Sequence, residues 1–95
     1  MTGTKHSSEG LDTRRRKLLF RSWHRGMRES DLILGAFADT AIATLTDAEL
    51  DQYEALLDLT DTELLPWLTG QQPIPVGAHT DMLAKITAFR RNRAL

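Results

Sequence analysis

Residues 45–57 are LTDAELDQYEALL, a stretch with the signals of a capped, amphipathic α-helix. Thr46 is followed three residues later by Glu49. The threonine oxygen can accept from a free backbone N–H while the glutamate reaches back to another, which marks a helix start. Leu50, Tyr53 and Leu57 then recur at helical spacing on one side. Asp47, Asp51, Glu54 and Asp58 fall along the outer face. The same signature returns in residues 60–70, TDTELLPWLTG, where Thr60 is paired with Glu63. This helix is expected to be short. Pro66 cannot donate a backbone hydrogen bond and lies past the first turn, predicting a kink or a 3₁₀ start, and Gly70 closes the segment.

The upstream chain carries Ile33, Leu34, Phe37, Ala38, Ala41 and Leu45 at helical spacing, predicting a second helix that begins near Ser30. Gly35 lies inside it. A mid-helix glycine costs about 1 kcal/mol relative to alanine, so tight packing or a local bend is expected there. Before it, Asp12 can N-cap a first helix whose Leu19, Phe20 and Trp23 form one apolar stripe, and Gly26 ends or loosens that helix. Downstream, residues 71–79, QQPIPVGAH, form a Pro/Gly loop. A last helix starts at Thr80, carries Asp81 in its first turn, buries Met82, Leu83, Ile86 and Phe89, and ends in Arg90, Arg91 and Arg93, which suit the negative end of its dipole. Residues 1–11 are polar and aperiodic and are read as a disordered leader. No strand-like alternation and no repeat is evident. The expected architecture is all-α, a single-domain bundle of five helices over residues 12–95, two of them short.

Ninety-five residues allow one domain, which removes only about 60 to 65% of its unfolded surface from water. So small an interior favours a binding module over an independent enzyme. The absence of cysteine excludes disulfides and Cys-ligated metal sites. Leu32–Leu34, with its Gly-interrupted extension to Ala38, falls far short of the roughly 20 residues of a membrane span, and Arg14–Lys17 precedes too short an apolar run for a secretory signal. Charge is uneven along the chain. Residues 1–28 hold eight Lys/Arg against Glu9 and Asp12, residues 29–81 hold eleven Asp/Glu and no Lys or Arg, and the last fourteen hold four Lys/Arg. Either the blocks neutralise one another across the bundle, or two surfaces of opposite sign face partners.

Catalytic patterns are weak. Ser22, His24 and Asp31 have the residue types of a hydrolase triad but only proximity in sequence to recommend them. His6, His24 and His79 lack metal-pair spacing, and no phosphate-cradling glycine motif is present. Nucleic acid is the more serious alternative, because Lys17, Arg21, His24 and Arg28 would align on a continuous helix and could sit on phosphates. The acidic middle of the chain and the lack of interleaved aromatics oppose it.

Between the first two helices lies HRGMRESD, residues 24–31. Gly26 has no Cβ and permits close approach. Arg25 and Glu29, four apart, can project to one side if the turn stays helical; they either pair with each other on the surface or form a charged fork toward a partner. RGMRE fits an RGxxE signature. Together with the basic first helix, the capped LTDAELDQYEALL helix and the WLTG that ends the short one, it resembles the FAD assembly factors of succinate dehydrogenase, small helical flavinylation factors of bacteria and mitochondria. Pro66 ahead of Trp67 departs from that pattern.

The resemblance implies a non-enzymatic assembly chaperone that binds the apo flavoprotein subunit of succinate dehydrogenase, or its fumarate reductase relative, and promotes covalent attachment of FAD to that partner. It implies partner-binding roles for Arg25, Gly26 and Glu29, with Arg28 and Asp31 flanking. It implies no catalytic residue, no metal and no tightly bound cofactor in this chain. A monomer is expected when free, in a bacterial cytoplasm, or in the mitochondrial matrix if eukaryotic. Core packing is favoured for both Trp23 and Trp67.

Overall fold

The computed structural model describes residues 10–93, so the expected leader falls outside the described residues except at Gly10 and Leu11. Five α-helices make up the regular structure of these residues: α1 (Thr13–Trp23), α2 (Arg28–Ala41), α3 (Asp47–Leu57), α4 (Asp61–Leu68) and α5 (Thr80–Arg93). The all-α bundle expected from the sequence is observed.

Local chemistry sets the helix starts. Asp12 accepts from the Arg15 N–H at 2.8 Å. Both capping boxes form, Thr46 with Glu49 and Thr60 with Glu63. Pro66 sits inside a continuous α4, whose end is tied back by the Gln72 N–H to the Pro66 carbonyl at 3.0 Å.

One core joins all five helices. Leu18 and Leu19 of α1 meet Leu34, Phe37 and Ala38 of α2, Leu50, Tyr53 and Leu56 of α3, Leu64 and Leu68 of α4, and Met82, Leu83 and Ile86 of α5. Two expectations need correction. Phe20 is 60% exposed, and Leu18 and Ser22 take the inward positions of α1, because the stripe that faces α2 and α3 runs one residue earlier than the aromatic spacing suggested. α2 stops at Ala41, with Leu45 buried beyond the helix end.

The charge blocks meet across the bundle. Arg14 bridges Asp51 and Glu54 at 2.7 and 2.8 Å, Arg21 pairs with Asp58 at 2.9 Å, and Lys85 with Glu49 at 3.5 Å. Exposed pairs of this kind contribute little each; those of Arg14 and Arg21 link α1 to α3 and its C-cap, and that of Lys85 links α5 to α3. Arg15 does more. Its guanidinium donates to the Ile42 and Leu45 carbonyls at 2.9 and 2.7 Å, satisfying acceptors that the end of α2 leaves without partners.

Candidate functional site: the turn between α1 and α2

α1 ends at Trp23, with His24 as its C-cap donating its N–H to the Arg21 carbonyl at 3.3 Å. The row expected from Lys17 through Arg28 is therefore broken. Arg28 belongs to α2, and Arg21 is engaged with Asp58, so among the described residues Lys17, Arg21, His24 and Arg28 do not form one continuous basic ridge.

Gly26 takes φ +99°, a left-handed conformation that side chains rarely adopt. It is exposed, and a Cβ built there would meet nothing within 4 Å. The glycine thus serves twice: it lets the chain reverse into α2, and it leaves a spot on the surface that no side chain covers.

Arg25 departs from the expected geometry. Its side chain is only 10% exposed and does not form a fork with Glu29. Nε donates to Asp61 Oδ1 at 2.7 Å, Nη1 to the Leu57 carbonyl at 2.8 Å, and Nη2 to the Leu59 carbonyl at 2.6 Å. The reason lies in α3 and α4. The end of α3 presents carbonyls that lack helical partners, α4 begins with Asp61, and a planar guanidinium can serve both at once. Arg25 thereby clasps the α1–α2 turn to the α3–α4 turn. Its own backbone N–H donates to Asp31 Oδ1 at 2.7 Å. Sequence spacing along one helix could not reveal this, because Asp61 lies 36 residues away.

Glu29 and Arg28 are exposed in the first turn of α2, while Asp31 is half-buried. α2 begins at Met27 without a side-chain cap. Around the turn lie exposed apolar side chains: Phe20 at 60%, Met27 at 44% and Leu32 at 50% exposure. Phe20 stacks on His24 with ring centroids 3.9 Å apart, and His24 Nδ1 lies 2.7 Å from the Phe20 carbonyl. Trp23, His24, Gly26, Arg28, Asp31 and Leu32 line a shallow depression of about 540 Å³.

Of the residues singled out in the sequence, Gly26, Arg28 and Asp31 line this depression, Glu29 is exposed in the same first turn of α2, and Arg25 is largely buried against the α3–α4 turn. Met27 and Leu32 carry no signal beyond being apolar residues near the motif, and the spacing of Phe20 points to the core instead of this surface. Trp23 and Trp67 are both half-buried against the core. Among the described residues no group of His, Cys, Asp or Glu is arranged to hold a metal ion, and no helix is long and apolar enough to cross a membrane.

Residues 16–90 match the family described as flavinator of succinate dehydrogenase. The chain is 38% identical over 87 residues to the FAD assembly factor SdhE of Acetobacter pasteurianus, an alignment covering 92% of this chain and 80% of that one. It is 33% identical over 93 residues to the mitochondrial succinate dehydrogenase assembly factor 2 of Candida glabrata and 34% identical over 85 residues to that of Dictyostelium discoideum. These two alignments cover 94% and 90% of this chain but 61% and 60% of the relatives, so the chain spans about three-fifths of the mitochondrial proteins.

Proposed function

Because this chain belongs to the family of flavinators of succinate dehydrogenase, we propose that it binds the apo flavoprotein subunit of that enzyme and promotes the covalent attachment of FAD to it. The observation that carries this reading is the open Gly26 surface within the matched region, with its exposed charges and its rim of Phe20, Met27 and Leu32. Apolar side chains ringed by charge are the composition of a protein-docking patch.

In this reading Gly26 admits the partner's backbone, and Arg28 and Glu29 orient it from opposite signs of charge. Arg25 and Asp31 hold the turn from within. The flavin bond forms on the partner. This chain acts as an assembly factor by holding the partner where its nucleophile and the flavin are aligned, and such positioning is worth several kcal/mol in general. FAD is cargo of the partner; among the described residues there is no strand–turn–helix unit of the kind that cradles a dinucleotide pyrophosphate. The free protein is a monomer and works where the flavoprotein matures, in a bacterial cytoplasm or a mitochondrial matrix. The fumarate reductase flavoprotein is a second partner to assay.

The test is Gly26→Arg, produced together with the apo flavoprotein subunit, with covalent flavin read as fluorescence of the denatured partner. Far-UV circular dichroism verifies that the variant remains helical. Loss of the fluorescence is expected. Undiminished fluorescence from a folded variant would remove Gly26 from the contact.

A further inference from the structure

The four residues that connect α1 to α2, residues 24–27, make no backbone–backbone hydrogen bond with one another. Among the described residues, the backbone–backbone bonds at this connection run back to Arg21 from His24 and from Asp31 to Met27, and none closes the turn. An exposed glycine in such a segment would sample many conformations, yet a docking surface gains affinity when it is held in its bound shape beforehand. What fixes the turn is Arg25. On one side its backbone N–H is held by Asp31 of α2; on the other its guanidinium is held by the Leu57 and Leu59 carbonyls and by Asp61. The Asp61 side chain is 14% exposed, too sheltered to reach a partner itself.

We propose that Arg25, Asp31 and Asp61 are positioning residues, an internal clasp that holds the 24–27 turn in the shape presenting Gly26 for docking. This rests on the docking role assigned to Gly26 above. The arginine of the RGxxE signature then works inward, and its requirement extends to an aspartate at the start of α4 that lies far outside the signature. A guanidinium is suited to this because it serves three acceptors in one plane, which a lysine ammonium cannot do with the same geometry.

The clasp is tested with the full chain and the apo flavoprotein subunit, measuring the dissociation constant by titration calorimetry well below the melting temperature. The fraction of active protein comes from the stoichiometry. Asp61→Ala is expected to weaken binding about tenfold, the effect of losing one charge-assisted hydrogen bond, with stoichiometry unchanged. Asp31→Ala is expected to do the same, and Asp31→Asn, which keeps an acceptor for the Arg25 N–H, to restore most of the affinity. Amide hydrogen exchange at Arg25 should quicken in both alanine variants while exchange at Leu83 in the core does not.

Unchanged affinity in folded Asp61→Ala overturns the clasp. So does a loss that appears wholly as a lower active fraction, since that is a stability effect alone. If Asp61→Ala does not fold, the Asp31→Ala and Asp31→Asn pair decides: equal affinities for the two overturn the proposal. Gly26→Arg separates the two levels. Loss of flavinylation in Gly26→Arg with normal affinity in the clasp variants removes the clasp and leaves the docking surface, whereas normal flavinylation in Gly26→Arg removes the docking reading itself.

Discussion

The indole of Trp23 lies flat against the backbone of Gly35, so close that a Cβ on Gly35 would fall within the ring's van der Waals envelope at Cδ2, Cε2 and Cε3. This contact explains a glycine in mid-helix: α1 and α2 approach until an aromatic face replaces a side chain. It also orients Trp23, whose Nε1 donates to Asp39 Oδ1 at 3.3 Å, and so shapes one wall of the depression beside Gly26.

Gly35→Ala sets two effects against each other. Alanine improves helix propensity by about 1 kcal/mol, but overpacking a filled contact costs about 1 to 3 kcal/mol. The ring is held by Asp39 and by the core, so overpacking is expected to prevail and the variant to be less stable than the parent. Urea unfolding followed by circular dichroism measures the sign, and a shift in tryptophan emission shows that Trp23 has moved. A more stable variant would mean that the indole can swing away without loss.

At Gly26 backbone strain and side-chain bulk can be separated. Any L-residue placed at φ +99° pays about 1 to 2 kcal/mol of strain, and no neighbour adds a clash. Gly26→Ala and Gly26→Arg should therefore lose similar amounts of stability in urea. Their effects on partner flavinylation should differ: partial loss with alanine, complete loss with arginine. Equal loss in both would assign the requirement to the shape of the turn instead of to the space above it.

The helices were legible in the sequence because their signals are local. Capping boxes and apolar spacing each act within a few residues, and α3 and α4 start where Thr46 and Thr60 say they should, whereas Pro66 misleads: the 3₁₀ start it predicts does not occur and α4 continues through it. The break at Gly26 after α1 was legible for the same reason. Arg25 was misread because its partners, Leu57, Leu59 and Asp61, become neighbours only when α3 and α4 fold back on the turn. The motif offered Glu29 at helical spacing, but the chain is not helical there. Ser22 and Ser30, both fully buried, were equally out of reach, since a small polar residue carries no periodic mark of an inward position.

Acid should loosen α3 through its capping box. Glu49 accepts from the Thr46 N–H at 2.9 Å, and this bond, followed by the nearby Lys85 charge, holds its carboxyl below the ordinary value of 4.5. A carboxylate with a depressed folded value contributes stability above the unfolded value and loses it as pH falls through the folded one. Stability should thus decline from about pH 4.5 downward. Glu49→Gln should flatten this limb of the stability curve, because the amide oxygen still accepts the bond but does not titrate. Thermal melts across the acid range compare the two proteins, and parallel curves would show that Glu49 contributes nothing to the dependence.

At the other end of the pH scale Tyr53 governs. Its hydroxyl lies 2.6 Å from Ser22 Oγ, whose own proton goes to the Leu18 carbonyl at 2.8 Å, with the Leu34 carbonyl a distant 3.4 Å away. Burial raises the phenol well above its ordinary 10.0, while the Ser22 bond pulls weakly the other way. A raised folded value means that the stabilisation is complete below the unfolded value and is lost as pH climbs beyond it. Folding should therefore weaken from about pH 10 upward. Tyr53 is the single tyrosine of the chain, so phenolate absorbance reports it alone. Its ionisation should coincide with loss of helical circular dichroism instead of preceding it. Tyr53→Phe should cost about 1 kcal/mol at neutral pH, since Ser22 keeps its bond to Leu18, and should lack the phenol's contribution to the alkaline limb. Phenolate formed in a still-helical protein near the ordinary value would show that the hydroxyl reaches solvent.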